Sequence, residues 1–212
     1  AGTLNVGSAI TGLIIFREQL IIFSERSIKR LVGNTIADFQ LQPITLDTGC
    51  TETDTIQEIG GDILYLGPDG IRSLSATEKI GDFNLAVASK VIQDDVTDFV
   101  TAHTSFSSVI IRPKSQYRLL GYNANFTESA SRGIIGAQVE QGINWADLRG
   151  FKAHVASSNL YEGTETIVFA NDNGYVYKME SGNSLDGAEI FSTFATPFIP
   201  INDPRVRKTI YK

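Results

Sequence analysis

Leu20-Ile-Ile-Phe23, Ser24-Glu-Arg-Ser27, Ile28-Lys-Arg-Leu31 reads as an apolar strand, a tight polar turn and a second strand that mixes apolar and charged positions. A run apolar at every position must be covered on both faces, which suits a strand inside a stack of sheets. The same order recurs three more times. The second copy is Asp62-Ile-Leu-Tyr-Leu66, Gly67-Pro-Asp-Gly70, Ile71-Arg-Ser-Leu74, and the third is Val109-Ile-Ile-Arg112, Pro113-Lys-Ser-Gln116, Tyr117-Arg-Leu-Leu120. The fourth is Thr166-Ile-Val-Phe-Ala170, Asn171-Asp-Asn-Gly174, Tyr175-Val-Tyr-Lys-Met179. Turns at 24, 67, 113 and 171 lie 43, 46 and 58 residues apart. A hairpin repeated at about 40–50 residues marks an all-β chain built as a β-propeller, each unit one antiparallel, four-stranded blade. An antiparallel sandwich also spaces its strands closely, but gives no reason for one hairpin to return at a long interval.

Outward from these hairpins, the chain divides into blades at about 9–50, 51–86, 104–144 and 145–198, with 1–212 as one propeller domain or part of a larger one. The first blade reads as strands at 10–17, 19–24, 27–33 and 38–46. The second has strands at 56–59, 62–66 and 70–75, and the third at 109–112, 117–122 and 133–139. The fourth opens with Phe151-Lys-Ala-His-Val-Ala156 and closes with 189–198, before Pro197, Pro200 and Pro204 punctuate the chain. Val206 to Tyr211 reads as the start of another strand, so the repeat is expected to continue in a longer protein unless the four blades close alone. One helix is expected between the second and third blades. Val87, Val91, Ile92, Val96, Phe99 and Val100 share a stripe at helical spacing, with Asp94, Asp95 and Asp98 toward solvent. Asn123 to Arg132, polar and small, reads as a long exposed loop. Asn173-Gly174 is expected to form a two-residue turn with positive φ at both positions, and the glycine-free turn Ser24–Ser27 to tolerate substitution.

The 212 residues are 42% hydrophobic with a net charge of −6, ample for a globular core and unlike a disordered chain. No run approaches the roughly 18 apolar residues of a membrane helix, and Ala1-Gly-Thr-Leu-Asn5 lacks the segments of a signal peptide, so no membrane insertion is expected. The single cysteine, Cys50, forms no internal disulfide and reads as a small semi-buried residue, in keeping with synthesis in a reducing cytoplasm. Residues 1–106 carry seven basic and fourteen acidic side chains; residues 107–212 carry eleven and ten. Such a chain does not clamp nucleic acid by neutralising phosphates, and the basic Arg205-Val-Arg-Lys208 is too short to do so.

Catalytic and cofactor motifs are missing. His103 and His154 are far apart in sequence and lack the spaced partners of a zinc site, and neither a nucleophile elbow, a Walker loop nor a dinucleotide fingerprint occurs. No catalytic, cofactor-binding or metal residues are assigned, and the chain reads as a non-enzyme without cofactor. Asn171-Asp-Asn-Gly174 superficially has calcium-loop residues, but no acid follows at the bidentate position. Asp94, Asp95 and Asp98 diverge around a helix, unlike paired glycosidase carboxylates. Trp145 and Tyr161 read as packing between blades, and Asn125-Phe-Thr127 as a glycosylation triplet without a secretory context.

Several stretches together resemble the β-propeller virion proteins of short-tailed bacteriophage tails, known as tail nozzle, tail tubular protein B or stabilisation proteins. They are Ile14-Ile-Phe-Arg-Glu-Gln-Leu-Ile-Ile-Phe23 with Ser27-Ile28, Asp47-Thr-Gly-Cys50, and Gly61-Asp-Ile-Leu-Tyr-Leu66. Gly70-Ile-Arg-Ser-Leu-Ser-Ala-Thr-Glu78, Ala88-Ser-Lys-Val-Ile92 and Asn202-Asp-Pro-Arg-Val-Arg-Lys-Thr209 complete the set. The resemblance covers residues 9–95 and the last ten; 105–195 share only the rhythm. It implies a structural virion protein, a homo-oligomeric ring subunit at the distal end of the tail, lining the DNA ejection channel and contacting tail adaptor and tail fibre proteins. Viral DNA would pass transiently without specific binding, which an acidic channel favours by repelling phosphates. The alternative is a glycan-binding or glycan-cleaving propeller of a phage tail. A protein-interaction propeller of the WD type would need Trp-Asp pairs, and Trp145 is followed by Ala146.

Overall fold

A computed structural model describes residues 3–80, 87–140 and 142–195 of the chain. The chain divides into two compact units, Ala1–Glu180 and Ser181–Lys212. The first holds four antiparallel sheets in chain order. Sheet one is β1 (Ile10–Phe16), β2 (Gln19–Ser24), β3 (Ile28–Val32) and β4 (Gln40–Thr45); sheet two is β5 (Gln57–Ile59), β6 (Asp62–Gly67) and β7 (Gly70–Ser73). Sheet three is β8 (Ser105–Ile111), β9 (Gln116–Tyr122), β10 (Arg132–Val139) and β11 (Gly142–Arg149); sheet four is β12 (Val155–Tyr161), β13 (Thr164–Ala170) and β14 (Val176–Lys178). Every sheet is a simple meander whose first strand lies at one edge. None of them closes on itself among the described residues.

The sheets stack by their faces, because strand alternation gives each an apolar set on either side. Ile21, Phe23 and Ile28 of sheet one meet Ile63 and Tyr65 of sheet two, with Cys50 and Leu74 between them. Leu64, Leu66 and Ile71 from the other side of sheet two meet Phe106, Ile110, Tyr117, Leu119 and Ile134 of sheet three. Val109, Ile111 and Leu120 then meet Ile167 of sheet four, with Ala153 and Met179. Along the shared edge, β8 touches both β5 and β12. The link from sheet one to sheet two is pressed against the first turn. Cys50 N–H donates to Ser24 O at 3.0 Å, and a Cβ on Gly49 would stand 1.9 Å from that same oxygen, so only glycine fits there.

Several expectations need correction. The hairpin at 112–115 joins the first two strands of sheet three, whereas the turns at 24, 67 and 171 join second and third strands; the in-phase connection in sheet three is the 123–131 loop. Sheets two and four have three strands among the described residues, not four. After β7 the chain turns into a helix, α1 (Leu74–Ile80), because Ser73 Oγ accepts the Ala76 N–H at 3.2 Å and starts a turn where a strand end was expected. The expected helix is α2 (Gln93–Ala102), shorter than the apolar stripe: Val96 and Phe99 are buried in the core between sheets two and three, but Val91 is 84% exposed and Val87 pairs with Arg72 in a bridge.

The boundary between third and fourth blades shifts as well. β11 pairs with β10 through Arg132↔Arg149, so sheet three runs past the expected limit at 144 and includes Trp145. The opening strand of sheet four is β12 rather than 151–156. Residues 189–195 form no strand; the described part of the second unit has one bridge, Leu185↔Ala188, and exposed Ile190, Phe191 and Phe194. The remainder of the 189–198 strand, the three prolines, Arg205–Lys208 and Val206–Tyr211 lie outside the described residues.

The turns also differ from expectation. Ala170 pairs with Val176, leaving a five-residue connection in which Gly174 has φ +83° and Asn173 does not enter the positive region. Asn173 N–H bonds Asn171 Oδ1 at 3.0 Å and Tyr175 N–H bonds Asn173 Oδ1 at 3.0 Å, so side-chain acceptors shape this loop in place of a two-residue turn. The left-handed two-residue turns fall elsewhere, at Arg17-Glu18 (φ 49° and 64°), Gly60-Gly61 (φ 58° and 77°) and Glu162-Gly163 (φ 48° and 75°), each joining the first two strands of its sheet. Ser24 and Ser27 are buried, with Ser24 Oγ donating to Ser27 O at 2.7 Å, so that turn is a packed element and not a tolerant one.

Candidate functional site

The residues singled out from the sequence are dispersed through the fold. Asp94 and Asp95 occupy the first turn of α2, where the helix dipole favours acids, and with Asp98 they face solvent. His103 ends that helix, buried among the rings of Phe99, Phe106 and Phe126, with Gly121 close enough that a Cβ would come within 2.6 Å of its Cγ. Its Nδ1 is 2.7 Å from Phe99 O, while Nε2 is buried without a partner; burial lowers the pKa below the ordinary histidine value. His154 sits elsewhere, stacked on Tyr122 at 4.1 Å. Cys50 is wholly buried, not semi-buried, and burial pushes its thiol pKa up, with Sγ donating to Glu52 O at 3.1 Å. A thiol so placed is a poor nucleophile. Among the described residues no group of three or more His, Cys, Asp or Glu side chains is placed to hold a metal ion.

Trp145 packs against the core between sheets two and three and donates Nε1–H to Ala88 O at 3.2 Å. Tyr161, at the end of β12, is 69% exposed, which corrects its reading as a packing residue. Asn125 and Thr127 lie in the exposed 123–131 loop, whose Phe126 covers one side of His103. The shallow depression lined by Glu58, Ile59, Gly60, Ile110, Arg112 and Ser115 offers little chemistry, because the Arg112 guanidinium is already paired with Glu165 at 2.6 Å.

The densest polar arrangement joins sheets three and four, and residue spacing gave no sign of it. Asp172 Oδ2 accepts from Lys152 Nζ at 2.7 Å and from Tyr122 OH at 3.1 Å, and the Lys152 ammonium also lies 5.4 Å from the Tyr122 ring centre. The hydrogen bond from Lys152 holds the Asp172 carboxyl below the usual carboxylate range. Nearby, Glu165 takes both the Arg112 guanidinium and, at 2.9 Å, the Arg112 backbone N–H. Glu180 bridges Lys114 and Arg118, the latter at 2.7 Å; burial alone would raise its pKa, but the two cations more than offset that and leave it lowered. These groups are brought together by the strand register of sheets three and four, from positions 20 to 66 residues apart. Paired in this way, their charges hold two sheets against each other.

A scan against models of protein families finds no match, and no curated protein matches the chain. No helix among the described residues is long and apolar enough to cross a membrane.

Proposed function

We propose that this chain is a structural virion protein: a β-propeller segment of a nozzle or tail tubular subunit in a short-tailed bacteriophage tail. Its sheets are the blades, and copies assemble into a ring around the channel through which DNA leaves, between adaptor and fibre proteins. The reading is carried by one observation, four meanders stacked face to face in chain order with β5, β8 and β12 gathered along one edge. Radial blades sharing an inner edge have this order. Support comes also from the stretches that resemble the family. Gly49-Cys50 is the step that seats the inter-sheet link against Ser24, and Gly70 opens β7, two positions whose roles are structural. Polar side chains are spent on holding sheets together, as in Arg112–Glu165 and Arg118–Glu180.

Electron microscopy of the purified chain at tens of micromolar tests the proposal: ring-shaped particles with a central opening are expected, and uniformly monomeric particles would overturn it. The proposal also expects no polysaccharide hydrolysis. Cleavage abolished by Asp94→Asn or Asp95→Asn would replace it with the glycan-cleaving reading.

A further inference from the structure

The two inner sheets have both faces covered, but the end sheets each leave one face open. On sheet one the covered set is Ile14, Phe16, Ile21, Phe23 and Ile28. Alternation and register put Leu13, Ile15, Leu20, Ile22, Leu31 and Leu41 on the opposite face. Leu13 is 60% and Ile15 72% exposed, whereas toward β3 the segment from Val6 to Ala9 lies against this face, with Val6 and Ile22 buried and the Lys29 ammonium donating to Val6 O at 2.6 Å. Four strands at standard spacing make this face roughly 19 Å wide and 20 Å long, with its exposed apolar side chains on the β1 edge. On sheet four the open face carries Val155, Tyr161, Val168 and Val176, with Lys178 on the outer edge strand.

We propose that the open face of sheet one is a docking surface for a second copy of this chain, whose sheet four seats on it. The proposal deepens the ring reading above and rests on it. Such a contact continues the stacking already made three times within the chain, in which each sheet turns one face to its predecessor and the other to its successor. It is heterologous, as a ring requires, and repeats without new chemistry. Charge favours it over pairing like with like: residues 10–45 of sheet one carry four basic and three acidic side chains, whereas residues 155–178 of sheet four carry one basic and three acidic. A face of this size is smaller than a standard interface, so the association is expected to be weak and to depend on concentration.

The test uses thiols placed at the two open faces. Cys50 is buried and does not compete. Ile15→Cys and Val176→Cys chains, mixed and treated with a short bismaleimide, are expected to give the 15–176 product in clear excess over 15–15 and 176–176. In parallel, Leu13→Thr with Ile15→Thr keeps β propensity and is expected to weaken association about tenfold or more by sedimentation, with an unchanged melting temperature. An oligomer that survives the threonine pair and yields no 15–176 product overturns the docking surface while leaving the ring reading intact. Excess 15–15 product overturns the head-to-tail arrangement. If the threonine pair fails to fold, the cross-link alone decides. A wild-type chain that stays monomeric at every concentration overturns both readings.

Discussion

The seam between sheets two and three and the seam between sheets three and four join the same kind of surface by different physics. The first is dry and aromatic: Phe99, Phe106 and Tyr117 interleave with Leu64, Leu66 and Ile71, and the crossing hydrogen bonds are neutral. Tyr117 OH donates to Thr55 O at 3.0 Å, Gln57 Nε2 to Ser108 O at 3.1 Å, and Ser108 Oγ to Asp54 O at 2.8 Å. The second seam has a smaller buried apolar set, with Ala153 and Met179 inside it and the rings of Phe151 and Phe169 only partly buried at its margin, and it is flanked by the ion pairs of Glu165, Glu180 and Asp172. Apolar burial is insensitive to pH and only weakly affected by salt, whereas charge pairs depend on both. Stability is therefore expected to differ along the stack.

The largest effect should come from the dry seam. Phe99→Ala removes a fully buried ring that touches His103 and Phe106, and is expected to cost about 3–5 kcal/mol in chemical denaturation. Glu165→Gln, at the charged seam, should cost about 1–2 kcal/mol, because its side chain is only 6% exposed and loses a charge-assisted bond while keeping one to backbone. A larger loss for Glu165→Gln than for Phe99→Ala would reverse the ranking of the seams.

The two seams should also separate in pH. His103 has a folded pKa below its ordinary 6.5, so the unfolded chain binds the extra proton first; stability is fully present above 6.5 and declines as pH falls toward the folded value. The response should appear at the end of α2 and in the Phe126 loop, and His103→Gln should remove it. Glu180, lowered from 4.5, contributes above that value and is lost as pH falls through its folded pKa, loosening sheet four. A single acid transition that loosens both regions together at one pH would contradict this separation.

A smaller contrast lies in the turns. Ser24→Ala removes a buried hydroxyl that bonds Ser27 O and Ser8 Oγ, and should cost about 1–2 kcal/mol. Gly174→Val meets open space and is strained only by φ +83°, costing about 1 kcal/mol by thermal melt. The expectation from sequence was the opposite order. The two readings differ because glycine marks conformation in a sequence, whereas the burial of a serine turn depends on the distant Gly49-Cys50 link.

The same division explains what was legible. Sheet one could be read to within two residues, since β1 and β2 are strongly apolar and the turns on either side of β2 are short. Sheet four was misplaced at its start, because Val155-Ala-Ser-Ser-Asn159 has little apolar signal and owes its strand to pairing with β13. Helix α1 was missed although Ser73 followed by Leu74-Ser-Ala-Thr-Glu78 carries a capping residue. The polar cluster of Tyr122, Lys152, His154 and Asp172 was illegible, since only tertiary register brings those positions together.

Hydrogen exchange at pH 7 in low salt and in about 1 M salt tests the contrast between the seams most directly, since such salt shrinks the Debye length to about 3 Å. Opening free energies for β12 and β13 should fall with salt, while those for β6 and α2 stay level or rise. Equal changes in both regions, or a fall confined to β6 and α2, would contradict a stack joined by packing at one seam and by charge at the next.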